Sequence, residues 1–596
     1  MSEPKTVPAK PAFSSPLPTP SLVDKHIATL AHLPGAALGL AAADAVLNHS
    51  GPALLLTADT QSAWQLEQAL QFFTNGSLPV LHLEDWETLP YDVFSPHDDI
   101  VSQRLDVLSR LPGLQKGVLV APVGTLMHRL APPEYVRGHS LKLDRGQRLD
   151  IEAFRRDLEA AGYRVVTQVM SHGEFAVRGA LIDLYPMGRR SPIRIDLFDD
   201  EIETLRGFDP ETQRSEDEIE RVELMPGHEF PLNEDGIKDF RRRYRERFEG
   251  DPQASQVYRG VSQGQPPGGI EYYLPLFFER TATLFDYLTG DTLIVLADGV
   301  QAAAEAFLQQ VEERYEQLRH DRERPLLPPR EPFLTAEELN DALQTRPTLR
   351  LLARQGDEDA GEQEADAVAL PPLRLQPRAE HPAAALHDYL ENHEGRVLFA
   401  AESAGRREAL GDTLRAQGLR PHTIENWNEF LAGDNRLCLA VAPLPAGVRL
   451  PGAAISIITE GELLGERAQQ RRRSRRPTRD ADAVIRNLTD LAIGAPVVHE
   501  DHGVGRYQGL MKLDIGGTGN EAEFLAIEYA GNDRLYVPVA SLHLISRYTG
   551  ASEGEAPLHK LGGDQWQRQR KRAAEKASDA AAELLEINAR RAARRA

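Results

Sequence analysis

Three short apolar runs, residues 53–57, 80–83 and Gly117–Pro122 (GVLVAP), are separated by helix-length amphipathic stretches at 61–73 and 98–111. Runs this short and this uniformly apolar are strands buried on both faces. Strands alternating with helices build an open, mostly parallel α/β sheet. The pattern then breaks. Between residues 140 and 226 the strand candidates 165–169, 174–185, 193–198 and 201–207 crowd together, with Asp199 and Asp200 as a two-residue hairpin turn. A helix over 151–161, closed by Gly162, precedes them. This reads as a compact α+β insert. From 227 to 350 the mixed α/β character returns, with a strand at 292–297 and a helix from Val300 to His320.

The remaining chain divides by composition. Residues 351–380, acidic and then Pro-rich, read as a linker. Residues 381–465 form a small α/β unit, with helices at 383–392 and 405–417 and strands at 397–401, 437–442 and 454–459. A basic linker, 466–483, contains RRRSRRPTR at 471–479. Residues 484–550 carry short strands with Gly-rich turns and read as a small barrel. Residues 564–596 form one long helix without a stop signal, which predicts a chain that continues, whereas residues 1–21 are Pro/Ser-rich and read as disordered.

At 596 residues, several domains are required. A single cysteine, Cys438, excludes a disulfide framework. There is no run of about 18 apolar residues that could span a bilayer and no signal segment, so a cytoplasmic protein without membrane contact is expected. The net charge of −22 opposes wholesale coating of nucleic acid. That charge is uneven: residues 466–596 hold 22 Lys/Arg against 18 Asp/Glu, and residues 1–465 hold 46 against 72. Different partners for front and back, or simple drift in surface composition, both fit.

Chemistry is sparse. None of the ten lysines follows a glycine, so the Gly-Lys step of a phosphate-cradling P-loop does not occur. The Gly260–Gly264 stretch (GVSQG) matches a nucleophile elbow in letters, but Pro266, Pro267, Gly268 and Gly269 forbid the helix that must follow the serine. His499, Asp501 and His502 could in principle ligate zinc; in a strand-to-turn context they read as structural. Arg471 to Arg476, and Arg568, Arg570, Lys571 and Arg572, could touch phosphates but lack interleaved aromatics, and read as solvated charge.

Two strand faces stand out. Arg194, Asp196 and Phe198 share one face by period-2 spacing, with Arg178 on a neighbouring strand. An ordinary half-buried sheet with solvated arginines satisfies these residues; if the face is exposed, two guanidiniums beside an aromatic form an interface anchor. Leu510, Lys512 and Asp514 alternate with Met511, Leu513 and Ile515 before Gly516 and Gly517. Pro538, in a second hairpin at 524–539, marks an edge strand open to pairing with another protein or simply protected by its loops.

The segments DWETLPYDVFSPHDDI (85–100), GEFAVRGALIDLYPMG (173–188), IRIDLFDDEIETLRGFD (193–209), RPLLPP (324–329), ESAGRREALG (402–411), LLGERAQQRRRSRR (463–476), VVHEDHGVGRY (497–507) and RLYVPVASLHLISRY (534–548) resemble the bacterial transcription-repair coupling factor family, in that family's order. The resemblance implies a degenerate helicase-like module similar to UvrB (22–139 and 227–350) with a UvrA-binding insert (140–226). It further implies a small third domain (381–465), a Tudor- or SH3-like RNA polymerase-interacting barrel (484–550), and a relay helix leading to an absent translocase motor. By the same resemblance, Arg178, Arg194 and Phe198 contact UvrA, through bidentate pairing of both guanidiniums with its carboxylates. Leu513 contacts the polymerase β subunit. The implied function is transcription-coupled nucleotide excision repair. This chain has no catalytic residue, metal or cofactor, whereas ATP, Mg and double-stranded DNA belong to the motor. The alternatives are a UvrB-like DNA-binding module or an ATP-dependent helicase subunit.

Overall fold

The computed structural model describes residues 15–20, 26–138, 141–210, 212–357, 361–376, 379, 381–465, 494–499, 502–514, 521–531, 533–538, 545–547 and 558–560. They fall into two compact units, 1–468 and 469–596. The basic linker, the 564–596 helix and residues 1–14 lie outside the described residues.

The first unit is built on a seven-stranded sheet, in the order Gln363–Glu364, Ile27–Ala31, Thr348–Leu351, Leu293–Leu296, Pro52–Thr57, Gly117–Pro122 and Val80–His82. Every neighbouring pair is parallel. Pro52–Thr57 and Gly117–Pro122 are buried at every residue, which explains why they read as unbroken apolar runs rather than alternating ones. The chain leaves this sheet after Pro122 and returns to its middle with Leu293–Leu296, beside Pro52–Thr57. Both flanking segments therefore share one sheet, with the α+β region inserted between them.

A second parallel sheet carries residues 396–459: His422–Thr423, Leu437–Val441, Arg396–Ala401 and Ile455–Thr459, with an antiparallel edge at Val448–Leu450. It packs on the first module. Trp427 stands edge-on to Phe73, with ring centroids 5.1 Å apart, and lies 6.1 Å from Phe72.

Four expectations are corrected. Residues 351–380 are not a free linker: Gln363–Glu364 pairs with Ile27–Ala31, Val368 bridges Arg449, and the Leu375 amide donates to the Leu463 carbonyl at 2.8 Å. These attachments are made by the backbone, which an acidic, Pro-rich composition does not reveal. Residues 15–20 do not follow the disordered reading of the start: Leu17 is buried, and the Thr19 amide and hydroxyl both donate to Asp44 Oδ2 at 2.7 Å. The 174–185 run is not one strand but a hairpin, Glu174–Arg178 and Leu181–Leu184, because Gly179 takes a left-handed φ of 64°. The 165–169 candidate shrinks to Arg164–Val165.

The second unit contains a five-stranded antiparallel sheet in the order Arg534–Pro538, Glu521–Glu528, Gly503–Asp514, Pro496–His499 and Ile545–Arg547. Val497, Tyr507, Leu525, Ile527, Tyr529, Val537 and Ile545 form its core. Gly505 is required there, since a Cβ would come within 2.5 Å of Ile527. Pro538 lies on an edge strand of the described sheet, as its missing N–H demands.

The point where the chain re-enters the parallel module after the insert is fixed by a buried ion pair. Arg104, on the Asp98–Arg110 helix, donates from Nε to Glu229 Oε1 at 2.6 Å and from Nη1 to the Glu84 carbonyl at 2.7 Å. Removing one partner of such a pair strands the other charge. Arg104→Ala is expected to cost about 3–5 kcal/mol in urea unfolding, and the joint replacement Arg104→Met with Glu229→Leu to recover most of that loss.

Candidate docking faces and their relatives

The insert centres on a six-stranded sheet in the order Ser215–Glu218, Glu201–Phe208, Ile193–Phe198, Leu181–Leu184, Glu174–Arg178 and Arg164–Val165. Its inner face, including Phe175, Ile182, Leu184, Ile193, Ile195 and Leu197, packs with Phe154 and Leu158 of the Ile151–Ala160 helix. Strand alternation then dictates the outer face. Register places Ala176, Asp183, Arg194 and Arg206 side by side across four strands, with Arg178, Leu181 and Asp196 in the next row.

Asp183 organises that face. It is 1% exposed and accepts both prongs of the Arg194 fork, from Nε at 2.7 Å and Nη2 at 3.0 Å. Arg194 Nη1 donates to the Gln213 carbonyl at 3.2 Å and to Ser215 Oγ at 3.4 Å, and the guanidinium lies 4.8 Å from the centroid of Phe208. The hydrogen bonds to Asp183 hold this guanidinium above the ordinary arginine value. Arg178 Nη1 approaches Asp183 Oδ2 at 3.7 Å, while its Nη2 donates to the Thr167 carbonyl at 2.7 Å. Val169, Ala176, Tyr185 and Phe208 seal one end of the face with a small apolar cluster.

The structure thus brings Arg178 and Arg194 together but refines their roles. Bidentate pairing of both guanidiniums with partner carboxylates presumes two free forks; Arg194's fork is already spent on Asp183. Arg178 is half-exposed, Asp196 is exposed, and Phe198, at the end of Ile193–Phe198, is 74% exposed. Asp199 follows with a left-handed φ of 59°, so the expected Asp199–Asp200 turn projects Phe198 at a hairpin tip. Asp183 was the residue that sequence reasoning missed. The available signal was one carboxylate within the otherwise apolar strand Leu181–Leu184.

In the second unit, Leu513 lies on Gly503–Asp514 opposite Ala522; its side chain lies outside the described residues. Leu510, Met511 and Tyr536 are exposed nearby on the same sheet. His499 is buried, with its ring 4.8 Å from His502, while Asp501 lies outside the described residues. Ser262 ends the helix Gln256–Ser262, so a helix and not a strand precedes it and no elbow forms. No group of three or more His, Cys, Asp or Glu able to hold a metal occurs among the described residues, and none of their helices is long and apolar enough to cross a membrane.

Comparison with known proteins matches these parts. Residues 141–230 match the UvrB interaction domain, residues 389–463 the family described as MFD, D3 domain, and residues 491–549 the CarD-like/TRCF RID domain. This combination defines a multidomain chain with two separate interaction modules. The transcription-repair-coupling factor of Escherichia coli (strain K12) is 45% identical over 566 residues, covering 95% of this chain and 49% of that protein. That of Haemophilus influenzae is 44% identical over 591 residues, covering 98% and 51%, and that of Bacillus subtilis 25% over 596, covering 95% and 48%. The chain is similar to these transcription-repair-coupling factors and spans about half the length of the curated relatives it matches.

Asp183→Asn keeps the shape and removes the charge that the Arg194 fork requires. A loss of about 2 kcal/mol in urea unfolding is expected, with faster amide exchange at Gln213 and Ser215.

Proposed function

We propose that this chain is a tether in transcription-coupled nucleotide excision repair, holding RNA polymerase through its β subunit and recruiting UvrA to the lesion. The exposed Phe198 ring, on the same sheet face as the guanidiniums that Asp183 holds, carries this reading. An exposed aromatic at a hairpin tip, on a face that also carries ordered arginines, has the character of an interface hot spot. Arg178, Arg194 and Phe198 form the UvrA-docking face, with Arg194 acting mainly by holding the sheet edge in shape. Leu513 marks the polymerase-docking strand, on a sheet that closes into a Tudor-like barrel. Residues 22–139 and 227–350 form a degenerate UvrB-like module. Joining two docking faces in one chain raises the effective concentration of their partners without new chemistry.

The whole protein is proposed to use ATP and Mg in a motor beyond this chain to translocate on double-stranded DNA and displace the polymerase; the protein works in the cytoplasm. Two features support a scaffold role for the described module. It lacks the Gly-Lys step of a P-loop. The turn between Ile27–Ala31 and the helix Ala36–Asn48, where such a loop would lie, is also occupied by backbone: the Ala36 amide donates to the Ala446 carbonyl at 2.9 Å.

Phe198→Ala is expected to weaken UvrA binding by about 2 kcal/mol or more, roughly 30-fold, and to leave polymerase β binding unchanged. Leu513→Arg should do the reverse. Both are read by titrating each purified partner against the 596-residue chain. Equal loss for both partners with either substitution would refute modular docking.

A further inference from the structure

The helix Glu234–Arg247 carries five arginines in a chain whose net charge is −22, and their partners divide them into two sets. Arg242 pairs with Asp239 and Glu246, each at 3.4 Å, Arg243 pairs with Asp239 at 3.3 Å, and Arg247 pairs with Glu331. Arg241 and Arg245 have no carboxylate partner among the described residues. They stand one helical turn apart on one face, and both turn to the same atom. Arg241 Nε donates to the Tyr258 hydroxyl at 3.3 Å, and Arg245 Nη2 donates to that oxygen as well.

Tyr258, on the neighbouring helix Gln256–Ser262, is 1% exposed. Its ring lies 5.9 Å from the Arg241 guanidinium and 5.5 Å from that of Arg245. Burial acts to push its phenol up, but the hydrogen bonds and charge of the two arginines outweigh it and leave the phenol below the ordinary tyrosine value.

The hydrogen-bond inventory is unbalanced. A phenol has one hydrogen to donate, yet both of its neighbours are donors with no accepting capacity. The phenol oxygen thus accepts from both guanidiniums, its own hydrogen finds no acceptor in them, and the two positive charges meet no carboxylate among the described residues. Cation–π stacking explains why the guanidiniums lie near the ring, but it neutralises neither charge nor satisfies the remaining N–H groups.

We propose that Arg241, Arg245 and the Tyr258 hydroxyl form an anion site that takes a phosphate group. Donors spread along a helical turn around a buried hydroxyl suit a tetrahedral oxyanion, which offers acceptors in several directions, better than a planar carboxylate. Guanidinium forks bind phosphate oxygens with charge-assisted bonds. The phosphate can come from a DNA backbone or from free orthophosphate; the donor set is the same for both. This site lies on helices outside the insert's sheet and is independent of the docking reading.

The test uses the full chain in a low-salt buffer. Orthophosphate is titrated against chloride at matched ionic strength with the unfolding midpoint as readout, and a labelled duplex of about 20 base pairs is titrated by fluorescence anisotropy. The double substitution Arg241→Gln with Arg245→Gln is expected to abolish the orthophosphate-specific rise in midpoint, or to weaken duplex binding by about tenfold, or both. Tyr258→Phe, which keeps the ring, should weaken the same response by about threefold. Arg242→Gln, already neutralised by Asp239 and Glu246, should leave it unchanged. A response to orthophosphate alone assigns the site to free phosphate, and a duplex response that depends on the pair assigns it to the DNA backbone. The proposal is overturned if neither ligand responds, if the double substitution changes nothing, or if Arg242→Gln costs as much as the pair.

Discussion

The joint between Arg104 and Glu229 is the constraint on which the geometry of the insert depends. Glu229 lies where the chain re-enters the parallel module after the insert, and Arg104 lies on a helix of that module. Two buried charges seldom repay their desolvation unless their remaining hydrogen-bond capacity is filled. Here Arg104 Nη1 donates to the Glu84 carbonyl and Nη2 to Glu229 Oε2 at 3.4 Å, while the guanidinium lies 5.2 Å from the centroid of Trp86. Around this joint, Arg164 donates to Asp98 at 2.9 Å, and His172 contacts Asp99 at 2.6 Å and the Arg189 carbonyl at 2.7 Å. Both His172 ring nitrogens thus face acceptors, giving the insert a second polar attachment to the first turn of the same helix, where carboxylates are favoured by the helix dipole. A docking sheet held this way presents a preset surface rather than one that must be ordered on binding, which lowers the entropic cost of association.

The outer face applies the same logic on a smaller scale. Asp183 is almost fully buried and is tolerated because it receives the Arg194 fork. Arg194 is tolerated against Phe208 because Asp183 neutralises it. The pair is a closed arrangement that stiffens neighbouring strands and leaves the second cation, Arg178, with a longer contact and more exposure. Phe198 lies beyond the small cluster of Val169, Ala176, Tyr185 and Phe208 and has no apolar cover of its own. The face therefore pairs an electrostatically settled centre with an unsatisfied aromatic edge, and a partner gains most by covering the edge.

The legible parts of this architecture are those governed by local periodicity. Uniformly apolar runs marked the parallel strands, and Gly117–Pro122 and Ile193–Phe198 fall where the pattern placed them. Period-2 spacing also put Arg194, Asp196 and Phe198 on one face, and that face is the outer one. What escaped were pairings between distant positions. Asp183 meets Arg194 only through the antiparallel register of two strands, which no single strand pattern reveals. The attachment of Gln363–Glu364 to Ile27–Ala31 was hidden for the same reason, since an acidic composition describes exposure and says nothing about backbone pairing. The break at Gly179 was missed because residues on both sides favour strand.

The least legible contact lies at the first turn of the parallel module. In open α/β sheets the crevice beyond the carboxyl ends of the strands is the customary ligand position, and helix N-termini there leave amides without partners. In this chain the first such turn is filled from within. Gly35 adopts a φ of 53°, and a Cβ on it would meet the Gly447 carbonyl oxygen at 2.3 Å, so two glycine backbones pass in contact. The Ala446 carbonyl takes the amide of Ala36 that opens the helix. Trp427, set against Phe72 and Phe73, clamps the small α/β unit from the side. A peptide carbonyl carries the same acceptor function as a phosphate oxygen without its charge, and it is always present. An opening shaped for a diffusible ligand thereby becomes a joint between domains, which fits the proposed role as a tether.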